Sequence, residues 1–345
     1  RYISVTGVQT CALPISDTSV LLDIRNLSVR FNTDSGVVRA VNGLNLTLHA
    51  GKALGFVGET GAGKTTTALS ILQLIQSPPG EITSGEILFE GCDIMRMTEA
   101  EKRFIRGNRI AMIFQDPMTS LNPIMTVEDQ IVEMISLHSD LRGTGIRDRA
   151  HEMLALVGIR PERARDYPHQ FSGGMRQRVG IAIALACRPA LLIADEPTTA
   201  LDVTIQAQVL ELIKNLQSVV KTSLLLITHD LGIVAEICQD VAIMYAGRLV
   251  EYADIRSLYG KPMHPYTRGL FNAVPDLDSP LGGKLAVIPG LPPDPTDLPK
   301  GCSFSPRCPY AKDICHETPC GMREVAPNHS VDCYFPLGTE GGRPE

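Results

Sequence analysis

No stretch of this 345-residue chain is apolar over the ~20 residues that a membrane-spanning helix requires; its longest apolar stretches, such as Val179–Cys187, are far shorter. A role at a membrane would therefore run through a partner. An excess of basic charge is also missing: 32 Lys and Arg stand against 38 Asp and Glu, for a net charge of −6. That argues against a protein that holds nucleic acid through bulk positive charge, because neutralising phosphates needs a basic face. No nucleic-acid partner is expected. The marks of disorder or of a collagen-like repeat are absent too, since 44% of residues are apolar and 20% charged, with 24 Pro and 30 Gly. Length alone suggests roughly two domains, at ~150 residues each.

The first residues lack the basic start and clean apolar core of a secretory signal. Val5-Thr6-Gly7-Val8-Gln9-Thr10-Cys11-Ala12-Leu13-Pro14-Ile15 instead reads like a translated sequencing-library adapter. Residues 1–15 are set aside as an artefact, Cys11 with them, and the native chain is expected to begin near Ser16 to Leu22.

Four short apolar runs, Ala53–Val57, Ile110–Phe114, Leu191–Ala194 and Leu224–Thr228, each end at a polar or glycine-rich turn. Their length suits buried strands of a parallel sheet, whereas a buried helix would run on further. Between them lie helical patterns, and Ile205, Val209, Ile213, Leu216 and Val220 fall on one helix face. This alternation predicts an α/β domain with helices over a mainly parallel sheet. From Leu21 to Leu48 apolar and polar residues alternate (Leu27, Val29, Phe31; Leu44, Leu46, Leu48), as in antiparallel strands with one buried face. Residues 120–170, rich in helix formers and broken at Gly143, Gly145 and Pro161, read as a helical insertion. Further on, Pro275, Pro280, Pro289, Pro292, Pro293, Pro295 and Pro299 form a connection into a Cys-rich tail, Gly301–Phe335. The expected organisation is one domain over 16–265 and an extension over 266–345.

Gly58-Glu59-Thr60-Gly61-Ala62-Gly63-Lys64-Thr65 fits G-x-x-x-x-G-K-[ST] after a strand and before the helical run Thr66–Ile75. Glycines let successive N–H groups turn inward and cradle phosphate oxygens, and the helix start adds partial positive charge. Lys64 would reach the β- and γ-phosphates and the Thr65 hydroxyl would bind Mg²⁺, with Thr66 next in the loop. A plain Gly-rich turn is the bland alternative, and the strand, loop and helix in succession argue against it. Downstream, Leu191–Glu196 is an apolar strand ending in two carboxylates. Asp195 is placed to hold Mg²⁺ and Glu196 to polarise an attacking water as general base.

Phe171-Ser172-Gly173-Gly174-Met175-Arg176-Gln177-Arg178 resembles the signature of ATP-binding-cassette (ABC) ATPases. In the order that family shows, Gln115 matches its Q-loop, Ala200-Leu201-Asp202 its D-loop, and His229 its switch histidine. The resemblance runs from about Leu22 to the C-terminus. It implies a P-loop NTPase fold of the ABC type: an α/β nucleotide-binding domain with a parallel core sheet, an antiparallel β subdomain, a helical subdomain at about 120–170, and here a small Cys-rich C-terminal extension. It also implies that two such domains pair head to tail around two ATP molecules. Ser172, Gly173, Gly174 and Met175 would then face the γ-phosphate held by the partner's loop. His229 would contact the γ-phosphate, and Gln115 would sit near Mg²⁺ and the attacking water. Phe31 is the candidate for stacking on adenine, or else is simply a core strand residue. Phe171 and Thr60 stand where the family more often has Leu and Ser.

Narrower features are similar to the oligopeptide/dipeptide/nickel importer branch, above all its "D" ATPases: Phe114–Pro123, Leu201–Gln208, His264-Pro265-Tyr266-Thr267 and the Cys-rich tail. That resemblance implies an importer ATPase on the cytoplasmic face of a prokaryotic inner or plasma membrane. It implies three kinds of partner: a second, homologous ATPase, two transmembrane permease subunits and an extracytoplasmic solute-binding protein. The cargo would be di- or oligopeptides or a related solute such as nickel or glutathione. In the tail, Cys302, Cys308, Cys315 and Cys333 are separated by five, six and seventeen residues, with Cys320 as an extra. A reducing compartment disfavours disulfides, and four thiolates suit tetrahedral Zn²⁺ or a [4Fe–4S] cluster; free thiols are the third reading. Zinc sites usually show a close C-x₂₋₄-C pair, which these spacings lack. The family resemblance implies an iron–sulfur cluster at these four positions, as a structural staple for a tail with little core. Cys92, Cys187 and Cys238 are expected in the core.

The competing class is a soluble ABC ATPase of translation or DNA repair. Such chains usually carry two cassettes, long coiled coils or zinc modules inserted in the cassette, and none of these patterns is present. A non-enzymatic regulator is opposed by intact Lys64, Asp195, Glu196 and His229.

Overall fold

A computed structural model describes residues 19–116, 120–199, 201–273 and 287–338. The leader 1–15, Pro117–Thr119, Ala200 of the D-loop, Pro275, Pro280 and the side chains of Leu216 and Val220 lie outside the described residues. The first strands are β1 (Val20–Thr33), β2 (Gly36–His49), β3 (Ala53–Val57), β4 (Gly80–Phe89), β5 (Cys92–Asp93) and β6 (Ile110–Ile113). Then follow β7 (Leu191–Asp195), β8 (Ser223–Thr228), β9 (Asp240–Tyr245), β10 (Arg248–Asp254), β11 (Arg323–Ala326) and β12 (His329–Val331). Among the described residues no helix is long and apolar enough to cross a membrane. The chain forms two compact units that interleave in sequence, one built mainly from Ile87–Ile227, the other from Ile24–Leu46, Leu54–Glu86 and the chain after Thr228.

In the first unit β6, β7 and β8 are parallel, with Ile110 opposite Leu191 and Ala194 opposite Leu226. Every residue of β7 and β8 is buried, which is why both read as unbroken apolar runs. β6 stops at Ile113, one residue short of the expected Phe114, whose ring is 42% exposed. The predicted helical insertion contains two longer helices. Val127–His138 starts at Thr126, whose hydroxyl accepts from the Asp129 N–H, and buries Val127, Ile131 and Ile135 at i, i+4 and i+8. Thr144–Leu156 follows Gly143, which sits at φ +58°. The helix Val203–Val220 buries Val209, Leu210 and Ile213, as its periodicity predicts, while Ile205 is only half-buried.

The second unit holds most of β1 and β2, which are neighbours in one sheet. Their alternating Leu27, Val29, Leu44 and Leu46 are buried. In its other sheet β3 pairs parallel with β9, and β9, β10, β12 and β11 then add antiparallel. The helix after the phosphate loop is Lys64–Ile71, shorter than the expected Thr66–Ile75. It ends because Gln73 takes a left-handed φ of +53°.

A buried carboxylate fastens the C-terminal strands to this sheet. The register of β10 against β9 shifts between Leu249 and Glu251, and Glu251 is fully buried. Its carboxylate accepts from the Met263 N–H (2.7 Å) and the His264 N–H (3.0 Å) and pairs with His329 Nε2 of β12 at 2.6 Å. The His264 imidazole in turn accepts from the Tyr266 N–H at 3.1 Å and begins the helix Pro265–Asn272. Burial drives the His264 pKa down to about 4, which keeps the ring neutral and Nδ1 able to accept. Removing one member of such a buried set leaves donors without partners, at a cost of about 3–5 kcal/mol. Glu251→Ala is therefore expected to lower unfolding stability by that amount in a urea titration, and a loss below about 1 kcal/mol would contradict this reading.

Candidate active site

The phosphate loop belongs to the second unit. β3 is buried along its whole length, so the loop leaves a fixed strand end. A Cβ on Gly58 would lie 2.2 Å from the Met244 carbonyl oxygen, and one on Gly63 2.3 Å from that of Ala40. Gly63 also stands at φ +102° immediately before the helix, so glycine is required there by space and by backbone alike. The Lys64 ammonium, 6% exposed, curls back into the loop and donates to the carbonyls of Gly58 (2.7 Å) and Glu59 (3.1 Å). Thr60, Gly61 and Thr65 are exposed, Ala62 is buried, and Thr66 is half-buried. No acidic residue stands in the first turn of the helix, so its partial positive charge is left for an anion. Phe31 is half-buried, and its Cε1 would lie 2.8 Å from a Cβ on Gly80, so only a glycine there leaves room for the ring. His229 is exposed and precedes Asp230, whose carboxylate caps the helix Leu231–Ile237.

Two residues that sequence reasoning did not assign hold the loop at Glu59. Its N–H donates to the Tyr266 hydroxyl at 3.0 Å, and its carboxylate receives the Arg307 guanidinium at 3.0 and 3.4 Å. Tyr266 lies in the His-Pro-Tyr-Thr motif, so a signal existed without an assignment. Nothing in the sequence singled out Arg307.

The first unit carries the carboxylates. Asp195 ends β7 and is 2% exposed. Glu196 follows at φ +45°, a left-handed backbone that a non-glycine residue adopts at a cost, and that recurs at functional sites. Its N–H donates to the Ile227 carbonyl at 2.8 Å. Its Oε2 accepts from Gln115 Nε2 and from Thr199 Oγ1, both at 2.9 Å. Two predicted residues 81 positions apart are thus brought together, and Thr199 is a partner that sequence reasoning missed. A carboxylate fixed by two donors, one of its oxygens in use, is oriented as a general base must be.

In the same unit Ser172 begins the helix Gly173–Leu185 without spending its hydroxyl as a cap, and the first turn has no acidic residue. Gly174 has a packing reason of its own: a Cβ there would lie 2.4 Å from Ile205 Cγ2. Met175 is half-buried and receives a long contact from Arg163. Asp202 caps the helix Val203–Val220 by accepting from the Ile205 N–H at 3.0 Å.

Cys302, Cys308, Cys315, Cys320 and Cys333 line one small pocket in the second unit, and the described cysteines are all free thiols. Burial pushes the Cys302 pKa up to about 11 and that of Cys333 to about 12, and neighbouring thiols push the same way. A cation at the centre would reverse that preference. Residue type and convergence fit a metal group held by thiolates. Closure does not, for among the described residues no three His, Cys, Asp or Glu side chains are disposed to hold an ion. Cys238 is buried as expected, whereas Cys92 and Cys187 are only half-buried.

Forcing alanine into the left-handed Gly63 position costs about 1–3 kcal/mol in strain, before the clash with Ala40. Gly63→Ala should therefore weaken nucleotide binding by roughly ten- to a hundredfold in a calorimetric titration. Unchanged affinity would remove the loop from the site.

Comparison with known proteins agrees with this geometry. Residues 41–199 match the ABC transporter family, and residues 250–315 match the C-terminal region of oligopeptide/dipeptide transporters. The chain is 50% identical over 317 residues to the oligopeptide transport ATP-binding protein OppD of Bacillus subtilis, covering 91% of this chain and 88% of the relative. It is 47% identical to OppD of Escherichia coli over 338 residues, 97% of this chain and 99% of that one. Among solved structures, a dimeric ATP-binding cassette bound to ADP and phosphate superposes with a TM-score of 0.62 at 25% identity, over 68% of this chain and 99% of that one. With its phosphate loop, its oriented Glu196 and near-full-length relatives at this identity, the chain belongs to the ABC transporter ATPases, among the ATP-binding subunits of oligopeptide and dipeptide transporters.

Proposed function

We propose that this chain is the ATP-hydrolysing subunit of an importer that takes up di- or oligopeptides. The observation that carries the reading is the occurrence, in one chain, of the cassette match and of the C-terminal region found in peptide transporters. Relatives named for oligopeptide and dipeptide transport support the same cargo class. A soluble ATPase of translation or DNA repair finds no support in either match.

In this reading the backbone of Gly58–Thr65 cradles the phosphates with Thr66, Lys64 neutralises the β- and γ-oxygens, and Phe31 stacks on adenine. Thr65, Asp195 and Gln115 ligate Mg²⁺. Glu196 takes the proton of the attacking water, and its contacts with Gln115 and Thr199 support that role by aiming the free carboxylate oxygen. His229 holds the γ-phosphate in the transition state. Ser172, Gly173, Gly174 and Met175 present a helix start to the nucleotide of a second, homologous ATPase, and Asp202 fixes the segment beside it. The partners are that second ATPase, two permease subunits and a solute-binding protein, with this chain peripheral on the cytoplasmic face of the membrane. The cassette spans 16–265 and the extension 266–345.

Cys302, Cys308, Cys315 and Cys333 are proposed to hold a [4Fe–4S] cluster. Their convergence on one pocket supports this, as does the softness of thiolate ligands. When bound, the cluster would cross-link a segment with little core of its own. Chain purified without oxygen should carry about four iron atoms and absorb broadly in the visible. One tightly held zinc per chain in place of the iron would contradict the assignment.

Two measurements test the function. Glu196→Gln should keep ATP binding and lose turnover by about 10²- to 10⁴-fold; undiminished hydrolysis would remove Glu196 from the base role. Tagged chain drawn from gently solubilised membranes should bring two permeases and a second ATPase in mass spectrometry. Recovery of ribosomal or DNA-repair proteins without a permease would overturn the transport reading.

A further inference from the structure

We infer that the C-terminal extension is a working part of the nucleotide site, with Arg307 and Tyr266 as positioning residues that fix the first variable residue of the phosphate loop. The inference rests on the proposed ATP-binding role of that loop and adds a control to it. Glu59 is held from both sides. Lys64 donates to its carbonyl, while Tyr266 takes its N–H and Arg307 grips its carboxylate. The loop backbone at the strand end is thereby pinned by two residues that lie about 200 and 250 positions away.

Arg307 spends its whole donor set there. Nε donates to the Pro289 carbonyl at 3.0 Å. Nη1 donates to Glu59 Oε2 at 3.0 Å and the Tyr245 hydroxyl at 3.2 Å, and Nη2 to Glu59 Oε1 and the Ile288 carbonyl, both at 3.4 Å. Five N–H groups in a planar fork meet five acceptors, a set that one ammonium cannot reproduce. The guanidinium side chain is 7% exposed, and an aromatic group made by Tyr245, Tyr266 and Phe304 backs it, with ring centroids 4.5–5.4 Å apart. Arg307 ends the short 3₁₀ turn Ser305–Arg307, directly before Cys308 and five residues after Cys302. The segment that carries two of the pocket cysteines is therefore the segment that grips the loop. Order in one favours order in the other, and linkage makes the effect reciprocal.

The test uses full-length chain and ATP. Arg307→Gln should weaken ATP binding by about 5- to 150-fold, the usual range of coupling between linked sites, and Arg307→Lys should not restore it. Tyr266→Phe, which removes one oxygen from a buried ring, should weaken binding in the same direction. In steady-state turnover the loss should fall on KM more than on kcat. ATP should slow amide hydrogen exchange across residues 301–308 of the wild-type chain, and this response should vanish in Arg307→Gln, an outcome that a merely structural role does not require. Affinity within twofold of wild type in both Arg307→Gln and Tyr266→Phe, with exchange at 301–308 indifferent to ATP, would overturn the inference. Failure of the wild-type chain to bind ATP would instead overturn the ATPase reading itself.

Discussion

The backbone of the phosphate loop is the constraint from which the rest follows. A strand with no exposed residue delivers Gly58 to a spot where any side chain would collide with the β9 backbone, and Gly63 must be left-handed just before a helix begins. That geometry aims N–H groups at an anion and lets the Lys64 ammonium fold back over the turn. A fixed strand end matters because phosphate recognition by backbone tolerates little displacement. β9 supplies the wall behind Gly58, and β10 and β12 continue the sheet out to the Cys-rich segment. The buried Glu251, paired with His329, keeps that outer part in register.

The chemistry in the other unit depends on a second local constraint. Glu196 is placed by a left-handed backbone at the end of a buried strand, and its carboxylate is shared between Gln115 and Thr199. Such a conformation is tolerated when neighbours over-determine it, here through the N–H to Ile227 and the two side-chain donors. Asp202 and Gly174 each serve two purposes. Asp202 caps a helix while standing in the D-loop, and Gly174 lets the signature helix pack against Ile205 while lying near its start. Packing and chemistry thus ask for the same residue at both positions.

Local sequence carried much of this. The four apolar runs became β3, β6, β7 and β8 to within a residue at most ends, because a strand buried on both faces must be continuously apolar. The loop glycines and Lys64 were legible because phosphate binding dictates their spacing. The pairing of Gln115 with Glu196 was expected only as proximity to one ion; their direct hydrogen bond and the part of Thr199 depend on a backbone turn that no spacing encodes. The strands beyond β9 were not read, since β11 and β12 are short, half-polar pieces that gain their meaning from pairing with β10. Arg307 was invisible for the same reason: a lone arginine in a Pro- and Cys-rich tail acquires its role only where the fold brings it to Glu59.

The account holds that ATP turnover by this chain is harnessed to peptide import. The most direct test is the ATP turnover of the membrane complex recovered with the chain, reconstituted in vesicles and measured with and without oligopeptide-loaded solute-binding protein. Turnover that rises with the loaded protein, together with accumulation of the peptide, is the expected result. Turnover indifferent to every peptide offered, with no peptide moved, would contradict it.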